Sequence, residues 1–380
     1  MKPKLTPSVY IKTYGCQMND RDSEALAGLF LERGYNNCDS PEDADVILVN
    51  TCSVRAHAEE RAISFLGSLK KIIVNRKPKT GNRIIGLIGC MAQNKGNDIF
   101  QKMPHVNLIC GPSCLDFIPE YVERIRANGK RIIDLQDRSR EEKLYRASYA
   151  TQPDRAQVII SIGCSNYCSY CVVPYVRGQL RLRRPEDIIK EIKRNVGADI
   201  TKITLLGQNV NDYQYKPETV DFVELLRMVA GIDGIEEIDF MSAHPKNTSK
   251  ELFELMAQKP NTKKHLHLPF QSGSNRILEL MNRGYTREEY LGLVSDYDKI
   301  VGGTLSTDII VGFPSETEDD FLQTKDMMEK IEFSHAYIFK YSPRPKTAAM
   351  KLADDVSQKE KERRHQILLN LQKSISLAHK

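Results

Sequence analysis

Short apolar runs alternate with longer segments of helical spacing along the first part of the chain. Strands are predicted at 8–14, 45–50 and 83–88, with a fourth at 106–109, and helices are predicted at 20–33 and 56–73. Strands that are buried on both faces read as continuous apolar runs. The alternation therefore predicts an α/β domain of Rossmann-like type, in which helices cover a parallel sheet.

The second half of the chain repeats a unit of one strand followed by one helix. Its strands are predicted at 158–162, 202–206, 236–241, 265–269, 305–311 and 336–340, with helices such as 185–195 and 287–300 between them. Six parallel units are too few for an eight-stranded barrel, so we expect a partial, open (β/α)6 barrel. In barrels of this kind the chemistry gathers at the C-terminal ends of the strands.

A polar stretch at 137–155 separates the two halves and lacks a sustained apolar period. Such stretches are typical of linkers between domains. We therefore predict a first domain at 1–140 and a second domain at 150–380.

Three cysteines follow the first strand of the second half. Cys164, Cys168 and Cys171 have the spacing C-x3-C-x2-C, and three thiolates this close can each hold one iron of a [4Fe–4S] cluster. The fourth iron then lacks a protein ligand, and an open metal position is where a substrate can bind. This cysteine triplet predicts an enzyme rather than an electron carrier.

A second group of cysteines lies in the first half. Cys16, Cys52 and Cys90 each follow a predicted strand, and parallel strands put their C-terminal ends on one edge of the sheet. These strand-end cysteines are candidates for a second cluster. The alternative is that they are buried as small apolar residues. Cys110 also ends a predicted strand, and the pattern alone does not exclude it. Cys114 and Cys38 are further candidates.

Composition and charge narrow the setting. The chain has 55 Lys and Arg residues against 50 Asp and Glu residues, a net charge of +5 that permits a polyanionic partner without requiring one. Nine cysteines in a chain that shows no signal peptide favour metal or redox chemistry over disulfides. No apolar run approaches the length of a membrane span. We expect a cytoplasmic protein that does not bind membranes.

The chain resembles the radical S-adenosylmethionine methylthiotransferase family in a series of motifs that runs from about residue 8 to the C-terminus. They are YGCQMNDRDSE at 14–24, NTCSVRAHAEERA at 50–62, GLIGCMAQ at 86–93, GCSNYCSYCVVPYVRG at 163–178, LLGQNVNDY at 205–213, SAHPKN at 242–247, HLHLPFQSGSNRIL at 265–278 and STDIIVGFPSETEDDF at 306–321. TCSVR with AEERA, and LLGQNVNDY, are most similar to the branch that acts on tRNA.

The resemblance implies transfer of a methylthio group to C2 of N6-(dimethylallyl)adenosine at position 37 of tRNA. It implies two [4Fe–4S] clusters, the radical cluster on the cysteine triplet and the auxiliary cluster on Cys16, Cys52 and Cys90. It also implies that S-adenosylmethionine is cleaved at the open iron, that the resulting radical removes the C2 hydrogen, and that a sulfur methylated by a second S-adenosylmethionine then adds. Cys38, Cys110 and Cys114 match no ligand position of the family.

Further site residues are expected at the strand ends of the second half. As contacts of S-adenosylmethionine we name Gln208, Asn209, Ser242, His244, Gln271 and Asp308. His244 precedes a proline, so it is also a candidate for fixing a turn. The basic residues Arg177, Arg181, Arg183 and Arg184 are candidates for tRNA phosphate or for the carboxylate of S-adenosylmethionine, and the alternative is a solvated run. Arg177 is the preferred one because it belongs to the triplet motif.

The remaining expectations concern partners and alternatives. Family members continue into a small β-rich RNA-binding domain, whereas this sequence ends at Lys380, so the chain is either truncated or works without that domain. We expect an external electron donor, an external sulfur source and a monomeric protein. The alternative substrates are N6-threonylcarbamoyladenosine in tRNA and an aspartate of a ribosomal protein. A third alternative is a non-catalytic iron–sulfur protein.

Overall fold

The computed structural model describes residues 6–53, 56–75, 82–140, 143–146 and 152–378. The chain forms two compact α/β units. The first comprises Met1–Pro153 and Val173–Gln179, and the second comprises Asp154–Val172 and Leu180–Lys380. No helix among the described residues combines the length and the hydrophobicity needed to cross a membrane.

The first unit is built on a six-stranded parallel sheet of order β2-β1-β3-β4-β5-β6. Its strands are β1 Ser8–Tyr14, β2 Asn36–Asn37, β3 Val46–Thr51, β4 Ile84–Gly89, β5 Leu108–Cys110 and β6 Ile132–Asp134. The four predicted strands are present. The sequence pattern missed β2 and β6 because two or three residues are too few to show a period.

Helices cover both faces of this sheet. They are α1 Gln17–Glu32, α2 Ala56–Asn75, α3 Cys90–Lys102, α4 Ile118–Asn128, α5 Lys143–Arg146 and α6 Val173–Arg177, with a 3₁₀ turn at Pro112–Phe117. Successive residues of β3 point to opposite faces: Leu48 packs in one apolar cluster with Phe30 of α1, and Ile47 packs in the other with Leu66 of α2. The doubly covered parallel sheet expected from the apolar runs is confirmed.

The second unit contains two three-stranded parallel sheets, β13-β10-β7 and β14-β15-β16. A bridge between Ile238 and Thr262 continues the first sheet towards β14. The strands of this unit are β7 Arg155–Ile159, β8 Ser161–Ile162, β9 Arg181–Leu182, β10 Lys202–Leu206, β11 Gln214–Tyr215, β12 Val220–Asp221, β13 Glu237–Phe240, β14 His265–His267, β15 Thr304–Val311 and β16 His335–Lys340. The predicted partial barrel of six parallel strands is confirmed.

One predicted strand of the barrel needs correction. The run 158–162 is not continuous, because β7 ends at Ile159 and Ser161–Ile162 instead pairs antiparallel with Arg181–Leu182. The backbone N–H of Arg183 donates to the carbonyl of Ile160, which continues this hairpin. The cysteine triplet therefore begins after a short hairpin strand.

The helices of the second unit alternate with its strands. They are α7 Pro185–Val196, α8 Phe222–Ala230, α9 Lys250–Gln258, α10 Asn275–Leu280, α11 Arg287–Ile300, α12 Glu318–Ile331 and α13 Gln358–Ala378, with 3₁₀ turns at Val210–Asp212, Lys216–Glu218, Pro245–Asn247 and Ala348–Lys351. Serine or threonine caps begin α9, α10, α11 and α12. Leu368 of α13 lies in the same apolar core as the barrel strands.

The stretch 137–155, interpreted as a linker, is only partly within the described residues, because 141–142 and 147–151 fall outside them. Within its described part, the Arg140 guanidinium is buried against Asp22, and Leu144 packs in the core of the first unit. These described residues belong to the first unit.

Candidate metal and cofactor sites

The strand-end cysteines of the first unit follow a single row across the sheet. Tyr14 of β1 is paired with Thr51 of β3, and Thr51 is paired with Gly89 of β4. Cys52 and Cys90 come directly after this row, and the backbone N–H of Cys52 donates to the carbonyl of Tyr14 at 2.9 Å. The structure thus brings the three cysteines to one edge of the sheet, as the sequence predicted.

Two local features hold this edge together. Gly89 has a φ of 86°, and a Cβ at this position would overlap the side chain of Asn50 and lie 2.9 Å from the carbonyl of Thr51. Glycine therefore lets the ends of β3 and β4 approach each other. Asn19 accepts a hydrogen bond from the Cys16 backbone N–H at 3.4 Å and donates to Asn50 at 3.1 Å, which ties the start of α1 to β3.

The surroundings of these cysteines favour a thiolate at one of them. A hydrogen bond from the Cys52 thiol and the nearby Arg177 charge lower the pKa of Cys16 to about 6. Burial raises the pKa of Cys90, and the Arg177 charge acts against this rise. A low thiol pKa marks a cysteine that is ready to act as a metal ligand, because the thiolate is the form that binds metal.

Arg177 lies beside one of the strand-end cysteines. Its Nε–H donates to the Sγ of Cys90 at 3.1 Å, and its Nη2 donates to Asp22 at 3.0 Å. Arg140 donates to the other oxygen of the same carboxylate at 2.6 Å. The Arg177 side chain is 2% exposed. Its described contacts therefore lie with the strand-end cysteines, and the expectation of contact with phosphate or with S-adenosylmethionine gains no support from them.

The three remaining cysteines lie away from the row. Cys110 is paired with Ile88, one position before Gly89, and is fully buried in the apolar core. Its Sγ donates to the carbonyl of Cys114 at 3.2 Å. Cys38 directly follows the edge strand β2 and is half-buried, and its Sγ donates to the carbonyl of Val9. The register of β5 thus separates Cys110 from the strand-end group, which the sequence pattern did not do.

The cysteine triplet occupies one loop of the second unit, and its three thiols are half-buried. Gly163 opens the loop with a φ of 80°, and its N–H donates to the side chain of Gln208 at 2.5 Å. The N–H of Cys171 donates to the carbonyl of Cys168 at 2.9 Å, which closes a turn. Gln208, expected at S-adenosylmethionine, therefore also supports the loop that carries the triplet.

A segment that the sequence analysis did not single out anchors this loop. Arg283 donates to the Sγ of Cys168 at 3.5 Å and to the carbonyl of Pro269 at 2.8 Å. Ser169 donates to the carbonyl of Leu280, and Asn282 donates to the loop carbonyl of Tyr167. The only signal in the sequence was an Asn-Arg-Gly turn after a helix, which by itself indicates no contact with a distant loop.

Two strand ends of the second unit have unusual backbone conformations. Ser242, after β13, has a φ of 68°, and Gln271, after β14, has a φ of 69°. Left-handed conformations at residues other than glycine cost free energy, so they persist only where the surrounding structure imposes them. They are frequent at ligand sites. Asp308 of β15 lies beside Gln271, since its carbonyl accepts the Gln271 N–H, and its carboxylate is 3.5 Å from His267.

His244 and Asn209 carry buried polar atoms that lack a partner among the described residues, namely His244 Nε2 and Asn209 Oδ1. The Nδ1 of His244 accepts the backbone N–H of Lys246, so His244 does fix the turn at Pro245–Asn247. Burial and the charges of Arg283 and Lys246 lower the pKa of His244 to about 2. The ring is therefore neutral, and its proton is on Nε2, where it is available to a ligand.

The basic residues after the triplet divide into two kinds. Arg183 is buried and donates to Glu191 at 2.6 Å and to the carbonyl of Ile159 at 2.7 Å, which ties α7 to β7. Arg184 is exposed and lies 3.2 Å from Glu186. Only Arg184 of these two presents its guanidinium to solvent.

Each group offers three cysteine thiols, the donor type that holds [4Fe–4S] clusters, in which each cysteine binds a different iron. Among the described residues, no group of three or more His, Cys, Asp or Glu side chains is arranged to hold one ion. The described structure has no disulfide at any of the nine cysteines, and a guanidinium lies against one cysteine of each group.

Two family models match the chain. The uncharacterized protein family UPF0004 matches residues 8–111, and the radical SAM superfamily matches residues 158–328. The first match covers all three strand-end cysteines, and the second covers the triplet and every candidate strand-end contact named above.

Two relatives match nearly the whole chain. A protein of Pelotomaculum thermopropionicum is 42% identical over 375 residues, which cover 97% of this chain and 82% of the relative. A protein of Clostridium novyi is 45% identical over 352 residues, which cover 91% of this chain and 77% of the relative. Both relatives are named tRNA-2-methylthio-N(6)-dimethylallyladenosine synthase.

A solved structure shares the fold. The radical S-adenosylmethionine methyltransferase TsrM from Kitasatospora setae aligns with a TM-score of 0.62 over 91% of this chain and 74% of that protein. The sequence identity is 12%, so this similarity concerns the fold alone.

Proposed function

The chain belongs to the family of tRNA-2-methylthio-N(6)-dimethylallyladenosine synthases, and we propose that it transfers a methylthio group to C2 of N6-(dimethylallyl)adenosine at position 37 of tRNA. The observation that carries this proposal is identity of 42% and 45% to two such synthases over at least nine tenths of the chain. The chain is a radical S-adenosylmethionine enzyme, and enzymes of this type use S-adenosylmethionine and [4Fe–4S] clusters.

We propose that Cys164, Cys168 and Cys171 hold the radical cluster and that the strand-end cysteines hold the auxiliary cluster. When bound, the clusters and S-adenosylmethionine supply the one-electron chemistry and the sulfur for forming the new carbon–sulfur bond. The protein contributes the positions of the reacting groups and the exclusion of water. The triplet loop is held from two sides, by Gln208 at Gly163 and by Arg283 at Cys168.

Polar strand ends of the second unit are proposed to bind S-adenosylmethionine. The Nε2–H of His244 is a buried donor without a partner among the described residues, and the Oδ1 of Asn209 is a buried acceptor in the same condition. A carboxylate and an amino group, which the methionine part of S-adenosylmethionine carries, would satisfy such a pair. Gln208, Ser242, Gln271 and Asp308 complete the proposed set.

The domain boundaries remain a proposal at 1–140 and 150–380. The limits of the two family models, 8–111 and 158–328, support such a division. So does the apolar core that each half has of its own. We further propose that the enzyme works in the cytoplasm as a monomer, where tRNA is its substrate and an external electron donor and sulfur source serve it.

The names of the relatives favour dimethylallyl-adenosine in tRNA over the alternative substrates. Both relatives described above are named for this nucleoside. Neither name refers to N6-threonylcarbamoyladenosine or to a ribosomal protein. The buried donor and acceptor at the strand ends also favour an enzyme over a non-catalytic iron–sulfur protein, which has no need of an unsatisfied buried pair.

Nucleoside analysis of tRNA tests the proposal. In a strain that lacks the gene, digested tRNA should contain N6-(dimethylallyl)adenosine but no 2-methylthio derivative, and the intact gene should restore the derivative. A Cys171→Ala gene should not restore it, whereas the Cys38→Ala gene, altered at a thiol outside both groups, should. Unchanged 2-methylthio-N6-(dimethylallyl)adenosine in the deletion strain would reject the proposal, and loss of 2-methylthio-N6-threonylcarbamoyladenosine would identify the alternative.

A further inference from the structure

A buried chain of charges leads to one of the strand-end cysteines. The Asp22 carboxylate lies between two guanidiniums, with Arg140 at 2.6 Å from one oxygen and Arg177 at 3.0 Å from the other. Arg177 then donates from Nε to the Sγ of Cys90 at 3.1 Å. Each of these four side chains is almost completely shielded from water. In such a place charges interact with less screening than at the surface.

This series of buried charges holds the Nε of Arg177 against the Sγ of Cys90. Burial opposes ionisation of Asp22, but Arg140 and Arg177 hold its pKa below the ordinary value, so the carboxylate stays charged. The carboxylate accepts a hydrogen bond from the Nη2 of Arg177, and the Nε of the same guanidinium is directed at Cys90. A planar guanidinium can make both contacts at once, whereas the single ammonium of lysine cannot keep both donor directions. Arg140 holds the carboxylate from the other side.

We propose that Arg177 is a positioning residue for the auxiliary cluster. Its hydrogen bond to Cys90 and its positive charge raise the reduction potential of that cluster. This inference rests on the proposed function, because it requires a cluster on Cys16, Cys52 and Cys90. Hydrogen bonds to ligand sulfur and the net charge near a cluster are two of the factors that set its potential. A positive charge stabilises the reduced cluster, which carries one more negative charge than the oxidised cluster.

The proposal also explains why the triplet motif at 163–178 carries this arginine near its end. Arg177 is the last residue of α6, six residues after Cys171 in the sequence. The segment Val173–Gln179 belongs to the first unit. The stretch that begins as a cysteine triplet thus ends in a residue whose described contacts serve the other group of cysteines.

The sign of the potential shift separates this role from a merely structural one. Removing the Arg177 charge should make the auxiliary cluster harder to reduce, and removing the Asp22 charge should make it easier to reduce. Arg140→Gln should shift the potential in the same direction as Arg177→Gln but by less, because Arg140 does not contact a cysteine in the described contacts. A role confined to packing gives no reason for opposite signs.

The experiment uses full-length protein with Cys164, Cys168 and Cys171 all changed to Ala, so that only the auxiliary cluster is titrated. After anaerobic reconstitution, iron and sulfide are counted, and the midpoint potential is measured by a redox titration followed by electron paramagnetic resonance. Arg177→Gln should lower the reduction equilibrium constant about tenfold, which is about 59 mV for one electron. Arg177→Lys, which keeps the charge and loses the directed donor, should give a smaller shift.

Asp22→Asn should move the potential upwards, and the exposed control Arg227→Gln should leave it unchanged. Arg177→Gln protein that carries the auxiliary cluster and has the parental midpoint potential would overturn the proposal. A potential shift in Asp22→Asn of the same sign as in Arg177→Gln would also overturn it. If Arg177→Gln does not fold, Arg177→Lys and Asp22→Asn decide by their opposite signs. A parent protein that binds no iron would instead refute the proposed function, and this inference with it.

Discussion

The guanidinium of Arg283 donates to the Sγ of Cys168 at 3.5 Å, although 115 positions separate the two residues in the sequence. The same side chain donates to the carbonyl of Pro269 at 2.8 Å and to the hydroxyl of Tyr285 at 3.2 Å. It therefore connects the triplet loop with the end of β14. A guanidinium with all these contacts holds the loop in place and puts a positive charge beside the cysteines that we propose as ligands of the radical cluster.

Arg283→Gln should weaken both the fold and the cleavage of S-adenosylmethionine. The buried carbonyl of Pro269 would lose its 2.8 Å bond from the guanidinium and keep only the 3.5 Å bond from the Tyr285 hydroxyl. Loss of a hydrogen bond from a charged donor costs about 1–3 kcal/mol of the free energy of unfolding. Urea unfolding measures this loss, and 5′-deoxyadenosine release measures the cleavage. Arg227→Gln, at an exposed pair with Glu224, is the matched control and should stay within about 0.5 kcal/mol. Parental stability and parental cleavage in Arg283→Gln would show that the contact does not matter.

Iron content should divide evenly between the two cysteine groups. Protein with Cys164, Cys168 and Cys171 changed to Ala should lose about four irons per chain, and protein with the strand-end cysteines changed to Ala should lose the other four. The single variants Cys38→Ala and Cys110→Ala should keep all of them, because their thiols lie outside both groups. Loss of a cluster in either single variant, with the fold intact, would contradict the assignment of ligands.

Gly89→Ala should disturb the auxiliary site more than its backbone conformation alone explains. Gly34→Ala is the matched control, because Gly34 has a similar φ of +77° but no described atom within 4 Å of an added Cβ. Each substitution places an alanine in a strained conformation that costs about 1–3 kcal/mol. Only Gly89→Ala should also reduce the iron bound by the strand-end cysteines, since its Cβ overlaps Asn50. Equal iron content in the two variants would contradict the role given to Gly89.

The buried neutral ring of His244 predicts a loss of stability in acid. The folded protein takes up this proton with a pKa of about 2, whereas the unfolded chain takes it up near 6.5. Below pH 6.5 the unfolded state therefore binds more protons, and the free energy of unfolding should fall by roughly 1.4 kcal/mol for each further pH unit.

The difference between parent and His244→Gln isolates this contribution, because the other titrating groups are common to both. Urea unfolding from pH 7 to pH 5 should show a weaker dependence on pH in His244→Gln, whereas the exposed His335→Gln should keep the parental dependence. Parallel curves for the parent and His244→Gln would contradict this prediction, because they would mean that His244 has the same pKa in the folded and unfolded states.

The sequence allowed the strand-end cysteines to be placed because apolar runs of the length of a strand predict a parallel sheet, and such a sheet aligns its C-terminal ends. It did not exclude Cys110, because exclusion depends on the register that pairs Cys110 with Ile88. The contact of Arg283 with Cys168 and the contact of Arg177 with Cys90 were both missed for one shared reason. Their contacts join residues 115 and 87 positions apart, and no local pattern carries such pairings.

The most direct test of the central claim is one assay that follows both clusters. Holoprotein with S-adenosylmethionine, a reductant and tRNA that carries N6-(dimethylallyl)adenosine should yield 5′-deoxyadenosine and the 2-methylthio nucleoside, both measured by mass spectrometry. Protein with Cys16, Cys52 and Cys90 changed to Ala should still yield 5′-deoxyadenosine but no methylthio product. Holoprotein that cleaves S-adenosylmethionine and leaves the nucleoside unchanged, or a strand-end variant that still makes the methylthio product, would contradict the account.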